Sequence, residues 1–271
     1  MHPILFHIGS LPIGSYALFA LLATAASILI VRHYARIEGR DPTEAADAIL
    51  MTCIVGFFGA RVWEVAINWD EIMASPRPLQ RILGSAGVFV GAITTAVPFG
   101  VYWFRRIKLP IRLGLDLLGL VAAMADGVGR WGCFLSGCCW GAPTTLPWGV
   151  TFPPIARQLH AGLPDQPVHP AQIYFSLVSF AILGVLIWVY RRKRFHGQSI
   201  ATYLVLYSIT RFFLEYIRGD AERGFVLNGL MSTSQFISIL IALGAVVWLY
   251  WLARRHRESG AKDWQPARRL H

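Results

Sequence analysis

Seven apolar blocks dominate the chain, at approximately residues 16–31, 46–67, 85–104, 113–134, 170–190, 199–217 and 230–252. Each approaches the ~20 residues that carry a helix across about 30 Å of hydrocarbon. A backbone polar group left unpaired in lipid costs several kcal/mol, so blocks of this kind are confined to helices. They predict an all-α integral membrane protein with seven transmembrane helices. Composition agrees: 55% of the 271 residues are hydrophobic and 15% charged, with a mean hydropathy of +0.49, too apolar for an ordinary water-soluble surface.

The net charge of +10 raises the question of nucleic acid, and the placement of the basic residues answers it. Arg32/Arg36/Arg40, Arg105/Arg106/Lys108/Arg112, Arg191/Arg192/Lys193/Arg194 and Arg254/Arg255/Arg257 follow the first, third, fifth and seventh blocks. The connections between them are nearly charge-balanced. By the positive-inside rule these four runs are cytoplasmic, the N-terminus is outside and the C-terminus inside. Nucleic acid is excluded as a partner. Residues 1–15 have no basic start and no small-residue cleavage site follows the first block, so that block is expected to remain as a helix.

Asp41-Pro42-Thr43-Glu44 reads as the start of the second helix, with an N-cap acid, a proline in the first turn and a glutamate placed to reach back. Tyr102, Trp103, Trp188, Tyr190, Trp248, Tyr250 and Trp251 sit beside basic residues at span ends, as interfacial anchors do. The longest outer connection, about 135–169, is rich in Gly and Pro and reads as a small irregular periplasmic cap. The membrane domain, cap included, is expected over 1–253, followed by a basic, disordered cytoplasmic tail over 254–271. Cys53 lies in a span, and Cys133, Cys138 and Cys139 cluster after another. They form neither a CxxC pair nor a zinc spacing, so no metal or cofactor is expected. Small residues filling a turn, with a disulfide open to them in an oxidising compartment, is the plainest reading; a covalent role is the sharper one, and metal or redox binding the remaining one.

Ionisable side chains inside a span cost several kcal/mol by insertion scales, which makes each a functional candidate. Arg61 and Glu64 fall in the second span, Asp116 and Asp126 in the fourth, Arg130 at its outer end, and Arg211, Glu215 and Arg218 in the sixth. Arg211, Glu215 and Arg218 stand at i, i+4 and i+7 and line one helix face, and Asp126 and Arg130 repeat the i, i+4 spacing. Helix-fastening ion pairs are the bland alternative, above all for Arg61/Glu64 and Asp116. Arg130 and Arg211 lie near the outer leaflet, where planar guanidinium forks suit a lipid phosphate. These residues predict a membrane-embedded site for an anionic phospholipid.

Gly129-Arg130-Trp131-Gly132-Cys133-Phe134-Leu135-Ser136-Gly137-Cys138-Cys139-Trp140-Gly141 resembles the signature of bacterial prolipoprotein diacylglyceryl transferases, which runs G-R-x-G-N-F-x-N-G-E-x-[WY]-G. Arg130 and Gly141 match; Cys133 stands where the family usually has Asn and Cys138 where it has Glu. Tyr16 after Ile13-Gly14, the Gly59-Ala60-Arg61 triplet, and Arg211-Phe212-Phe213-Leu214-Glu215 with Arg218 agree in order along the chain. Asp116 falls at the family's spacing ahead of Arg130. His169-Pro170-Ala171-Gln172-Ile173-Tyr174 resembles H-P-x-Q-L-Y-E, with Phe175 in place of the final acid. Val90-Gly91-Ala92 stands where the family usually carries His-Gly-Gly in the third span. The similarity runs from about residue 5 to residue 220.

The resemblance implies a multi-pass enzyme of the bacterial inner membrane. It would move the diacylglyceryl group of phosphatidylglycerol to the lipobox cysteine thiol of a preprolipoprotein, forming a thioether and releasing glycerol phosphate. Its partners would be phosphatidylglycerol, the preprolipoprotein signal peptide with its lipobox cysteine, and membrane lipid. The catalytic candidates are Arg130 and Arg211 on the phosphate, with Glu215, helped by Tyr16, orienting Arg211 or assisting thiol deprotonation. The substrate-binding candidates are Arg61, Asp116, Cys133, Cys138, Gly141, His169, Gln172 and Arg218. A related enzyme moving another lipid-derived group, and a non-catalytic lipid-binding paralogue, are the alternatives that the substituted positions leave open.

Overall fold

Long helices account for most of the chain in the computed structural model, which describes residues 2–8, 11–75, 78, 82, 88–160, 162–219, 224–226, 229–260 and 264. The helices are α1 (Ser15–Ile37), α2 (Pro42–Ile67), the short α3 (Trp69–Met73), α4 (Phe89–Arg106), α5 (Ile111–Ser136), the short α6 (Pro154–Leu159), α7 (Ala171–Arg192), α8 (Gln198–Leu214) and α9 (Thr233–Glu258). A 3-10 turn, Glu215–Ile217, extends α8. Among the described residues, α1, α2, α7, α8 with its extension, and α9 are long and apolar enough to cross a bilayer. The third and fourth expected spans correspond to α4, which ends on Arg105-Arg106, and α5, which carries Arg112, Asp116, Asp126 and Arg130. Residues 83–87, where the third apolar block begins, lie outside the described residues.

The all-helical expectation holds, with two short hairpins added: β1 (Ile4–Ile8) pairs antiparallel with β2 (Leu11–Gly14), and β3 (Phe225–Val226) with β4 (Met231–Ser232). Both pairs sit just before a long helix, where a hairpin closes its own backbone hydrogen bonds locally. One expectation needs correction: the C-terminal segment is not irregular from residue 254, because α9 runs on to Glu258 and Arg254 pairs there with Glu258 at 2.6 Å. Residues 265–271 lie outside the described residues.

The chain forms two compact units, one of residues 1–30 with 118–265 and the other of residues 31–117, with α1 and α5 contributing to both. In the second unit α2 and α4 pack through small residues. A Cβ on Gly91 would stand 2.6 Å from the Gly59 carbonyl oxygen and 2.5 Å from Trp63 Cβ, and one on Gly56 3.1 Å from Ala96 Cβ. The backbones therefore touch, as small residues permit when no hydrophobic force favours helix association in lipid. The Asp41 carboxylate caps α2, accepting from Thr43 and Glu44 backbone N–H groups at 2.7 and 2.8 Å; these bonds hold it below the usual carboxylate range. The expected reach of Glu44 back to the cap is not made among the described residues.

In the first unit α5 from Gly119 onward is the hub. Gly127 lies against the Phe180 ring of α7, Gly119 against Ile200 and Tyr203 of α8, and Gly132 against Tyr16 and Phe19 of α1. The segment after α5 has its own small core of Trp140, Phe152, Ala156, Leu163 and Val168, tied by isolated bridges of Pro143 and Val150 to Val168. Several expected anchors pair with cations at helix ends: Arg192 lies 4.7 Å from the Trp188 ring centroid and Arg255 4.0 Å from that of Trp251. Tyr190 is instead fully buried, with the Lys193 ammonium 3.6 Å above its ring.

Candidate functional site

Arg130 lies six residues before the end of α5, one turn beyond Asp126. Its Nε donates to Asp126 Oδ1 at 2.9 Å, and Ser179 of α7 donates to Asp126 Oδ2 at 2.5 Å. The carboxylate is thus clamped between two helices and fixes the guanidinium from one edge. Among the described residues the two terminal amino groups of Arg130 make no hydrogen bond. Arg211, in the last turn of α8, is held in the same fashion through one terminal nitrogen by Glu215. Glu215 is 3% exposed and also accepts from Ser232 and Ser234. A carboxylate so enclosed orients its arginine.

Both guanidinium groups pack against one aromatic ring. The Arg130 Cζ lies 4.4 Å and the Arg211 Cζ 5.6 Å from the centroid of the Phe175 ring on α7. Two points at those distances from one centroid are at most about 10 Å apart, the range over which two arginines can reach one phosphate. Phe175 is the residue that replaces the expected acid. A ring face supports the arginines without consuming their hydrogen bonds.

Gly141 brings the third arginine in. Its N–H donates to the His169 carbonyl at 3.0 Å, Ala142 N–H donates to the Ile217 carbonyl at 2.8 Å, and Gly219 N–H to that of Trp140 at 3.2 Å. A Cβ on Gly141 would stand 2.5 Å from His169 Cβ and 2.8 Å from the Ile217 oxygen. Only glycine lets these strands close and so pin Arg218 opposite Gly141. Gln172, fully buried at the start of α7, donates from Nε2 to the Cys138 carbonyl at 2.6 Å. The His169 ring lies 3.4 Å through Nδ1 from the Tyr174 hydroxyl.

The three clustered cysteines, like Cys53, are free thiols and form no disulfide. Helix α5 ends on Gly137, which takes a left-handed backbone at φ +84°, and the N–H groups of both Gly137 and Cys138 donate to the Cys133 carbonyl at 2.9 and 3.1 Å. This glycine cap folds Cys138 back over the turn of Cys133. Cys139 then adopts φ +58°, a conformation that costs a non-glycine residue on the order of 1 kcal/mol and that clusters at functional sites. Hydrogen bonds from the Cys133 and Cys138 thiols draw the Cys139 thiol below its usual range against the cost of burial, and Arg130 and Arg218 add to the effect.

Of the candidate residues, Tyr16, Arg130, Cys133, Cys138, Gly141, His169, Gln172, Arg211, Glu215 and Arg218 all belong to the first unit. Tyr16, 56% exposed, stands in the first turn of α1 with its Cα 3.1 Å from where a Cβ on Gly132 would lie. Arg61 and Asp116 belong to the second unit. There Arg61 lies 4.3 Å from the Phe57 centroid and donates to the Ile82 carbonyl at 2.9 Å, and Asp116 is fully buried. Val90, at the position of the family histidine, is exposed on α4.

Ser179 and Tyr207 were not singled out in the sequence, and Phe175 only as the residue in place of an acid. Ser179 carries no charge and gave no signal. Tyr207 interacts electrostatically with Asp126, Arg130, Arg211 and Arg218 together, and its place four residues before Arg211 on one helix face would have disclosed it.

The prolipoprotein diacylglyceryl transferase family model matches residues 3–251. The chain is 34% identical to phosphatidylglycerol–prolipoprotein diacylglyceryl transferase 2 of Clostridium perfringens, over 97% of this chain and 100% of that protein. It is 31% identical to the phosphatidylglycerol–prolipoprotein diacylglyceryl transferase of Clostridium tetani, over 92% and 97%. A Streptomyces coelicolor relative, phosphatidylglycerol–prolipoprotein diacylglyceryl transferase 2, is 30% identical over 92% and 79%. With Arg130, Gly141, Arg211 and Arg218 in one unit and the family model matching nearly the whole chain, the chain belongs to the prolipoprotein diacylglyceryl transferase family.

Proposed function

We propose that this protein transfers the diacylglyceryl group of phosphatidylglycerol to the lipobox cysteine thiol of preprolipoproteins in the bacterial inner membrane. The observation that carries the reading is the pair of guanidinium groups, Arg130 and Arg211, over the one Phe175 ring. The substrate thiol gives up its proton to water or to the departing phosphate, its sulfur bonds to the diacylglyceryl carbon that carries the phosphate, the C–O bond there breaks, and glycerol phosphate departs. A phosphodiester with one negative charge becomes a monoester with up to two, so fixed positive charge gains more in the transition state than in the ground state. Asp126 and Glu215 hold those charges in place in advance, and Arg218 and Tyr207 complete the polar wall. An open apolar groove between α8 and α9, lined by Ile209, Phe212, Phe213 and Ile239, offers an apolar surface for an acyl chain on the same helix that carries Arg211.

On this reading α4 and α5 complete seven spans in one membrane domain, with the N-terminus outside and the C-terminus in the cytoplasm. The test is complementation of a strain depleted of its own transferase. Rescue that disappears with Arg130→Ala or Arg211→Ala supports the reading, and absence of rescue at a normal membrane level of the wild-type protein overturns it. The substitutions at Cys133, Cys138 and Val90 favour the second reading, a related enzyme or lipid-binding paralogue, and the latter outcome would select it.

A further inference from the structure

The sulfur atoms of Cys133, Cys138 and Cys139 all lie within 4.8 Å of one another. Neighbouring side chains on extended backbone point apart, and it takes the left-handed Gly137 and Cys139 to turn these sulfurs to one place. In a thiolate shell with metal–sulfur bonds of about 2.3 Å the sulfurs stand roughly 4 Å apart. The cluster is therefore near ligand spacing before any ion arrives. All three residues are half-buried, so an ion can reach them. Gln172, fully buried, holds the Cys138 carbonyl at 2.6 Å, and its own Oε1 has no hydrogen-bond partner among the described residues. The Arg130 and Arg218 guanidinium groups act on the Cys139 sulfur and would offset the negative charge of three thiolates around a cation.

We propose that Cys133, Cys138 and Cys139 form a three-thiolate site for a soft d10 metal cation of the Zn(II), Cd(II) or Cu(I) class, at the turn following Arg130. Sulfur donors select this class over hard cations such as Mg(II) or Ca(II). On binding, three S–H bonds give way to three sulfur–metal bonds, three protons pass to solvent and no electron moves. The site goes beyond the transfer reading and stands or falls independently of it.

The test titrates the reduced, detergent-solubilised full chain with Cd(II). One equivalent should bind with the ultraviolet sulfur-to-cadmium charge-transfer absorbance, and X-ray absorption should count three sulfurs on the metal. Cys133→Ser, Cys138→Ser and Cys139→Ser should each weaken binding at least tenfold, while Cys53→Ser leaves it unchanged. Should a serine variant fail to fold, the sulfur count on the wild-type chain decides alone. Fewer than three sulfurs, equal binding by folded serine variants, or a disulfide joining two of the three in protein alkylated directly in its membrane would overturn the proposal.

Discussion

At the scale of single residues, the site is a set of arginines whose charge is preserved by how they are held. Arg130 gives one nitrogen to Asp126, and removing the side chain should lower transfer to a lipobox peptide on the order of 100-fold or more, as loss of a preorganised donor to developing charge does. Arg130→Lys keeps the charge but not the fork and should recover only part of the rate. Phe175→Ala should remove the ring that both Arg130 and Arg211 pack against and raise the KM for phosphatidylglycerol; an unchanged KM would refute the platform role of the ring. Ser179→Ala removes the 2.5 Å bond to Asp126, a charged hydrogen bond of roughly 1.5–3 kcal/mol. Its expected signature is a fall in kcat near tenfold, restored by Ser179→Thr, with little change in protein level.

At the scale of elements, helix contacts rest on glycine and helix ends on caps. Gly59→Leu would drive its side chain into Thr95 and force α2 from α4, and overpacking of this kind costs about 1–3 kcal/mol. A lower thermal-unfolding midpoint in detergent would register it. Helix α9 begins with a capping box, in which Ser232 accepts from Gln235 N–H at 3.2 Å and Gln235 Oε1 accepts from Ser232 N–H at 3.0 Å. Ser232→Ala should cost about 1 kcal/mol from the cap alone. Because Ser232 also donates to Glu215, it should lower transfer activity as well, which an isolated helix defect would not.

At the scale of the whole molecule, the four basic runs set the expected orientation. Alkaline phosphatase fused after Thr145 should be active and fused after Ser259 inactive, while green fluorescent protein fused after Ser259 should fluoresce. The reverse pattern would invert the proposed topology and move Arg130 from the outer to the inner side. Five helices are long and apolar enough to cross a bilayer, and α4 and α5 are the two further crossings that the proposed topology adds.

The sequence by itself determined the long helices and the family, because a ~20-residue apolar block has few other ways to satisfy its backbone in lipid and because Arg130, Gly141 and Arg211 keep their spacing. It also disclosed the Asp126/Arg130 and Arg211/Glu215 pairs, since i, i+4 spacing alone puts two side chains on one face. Only the tertiary structure decided that Phe175 underlies two arginines from different helices, that Ser179 clamps Asp126, and that three cysteines converge. Those contacts join residues far apart in the chain, or depend on a left-handed turn at Cys139 that its residue type does not announce. A linear pattern encodes periodicity within one element, whereas the meeting of elements is fixed by packing.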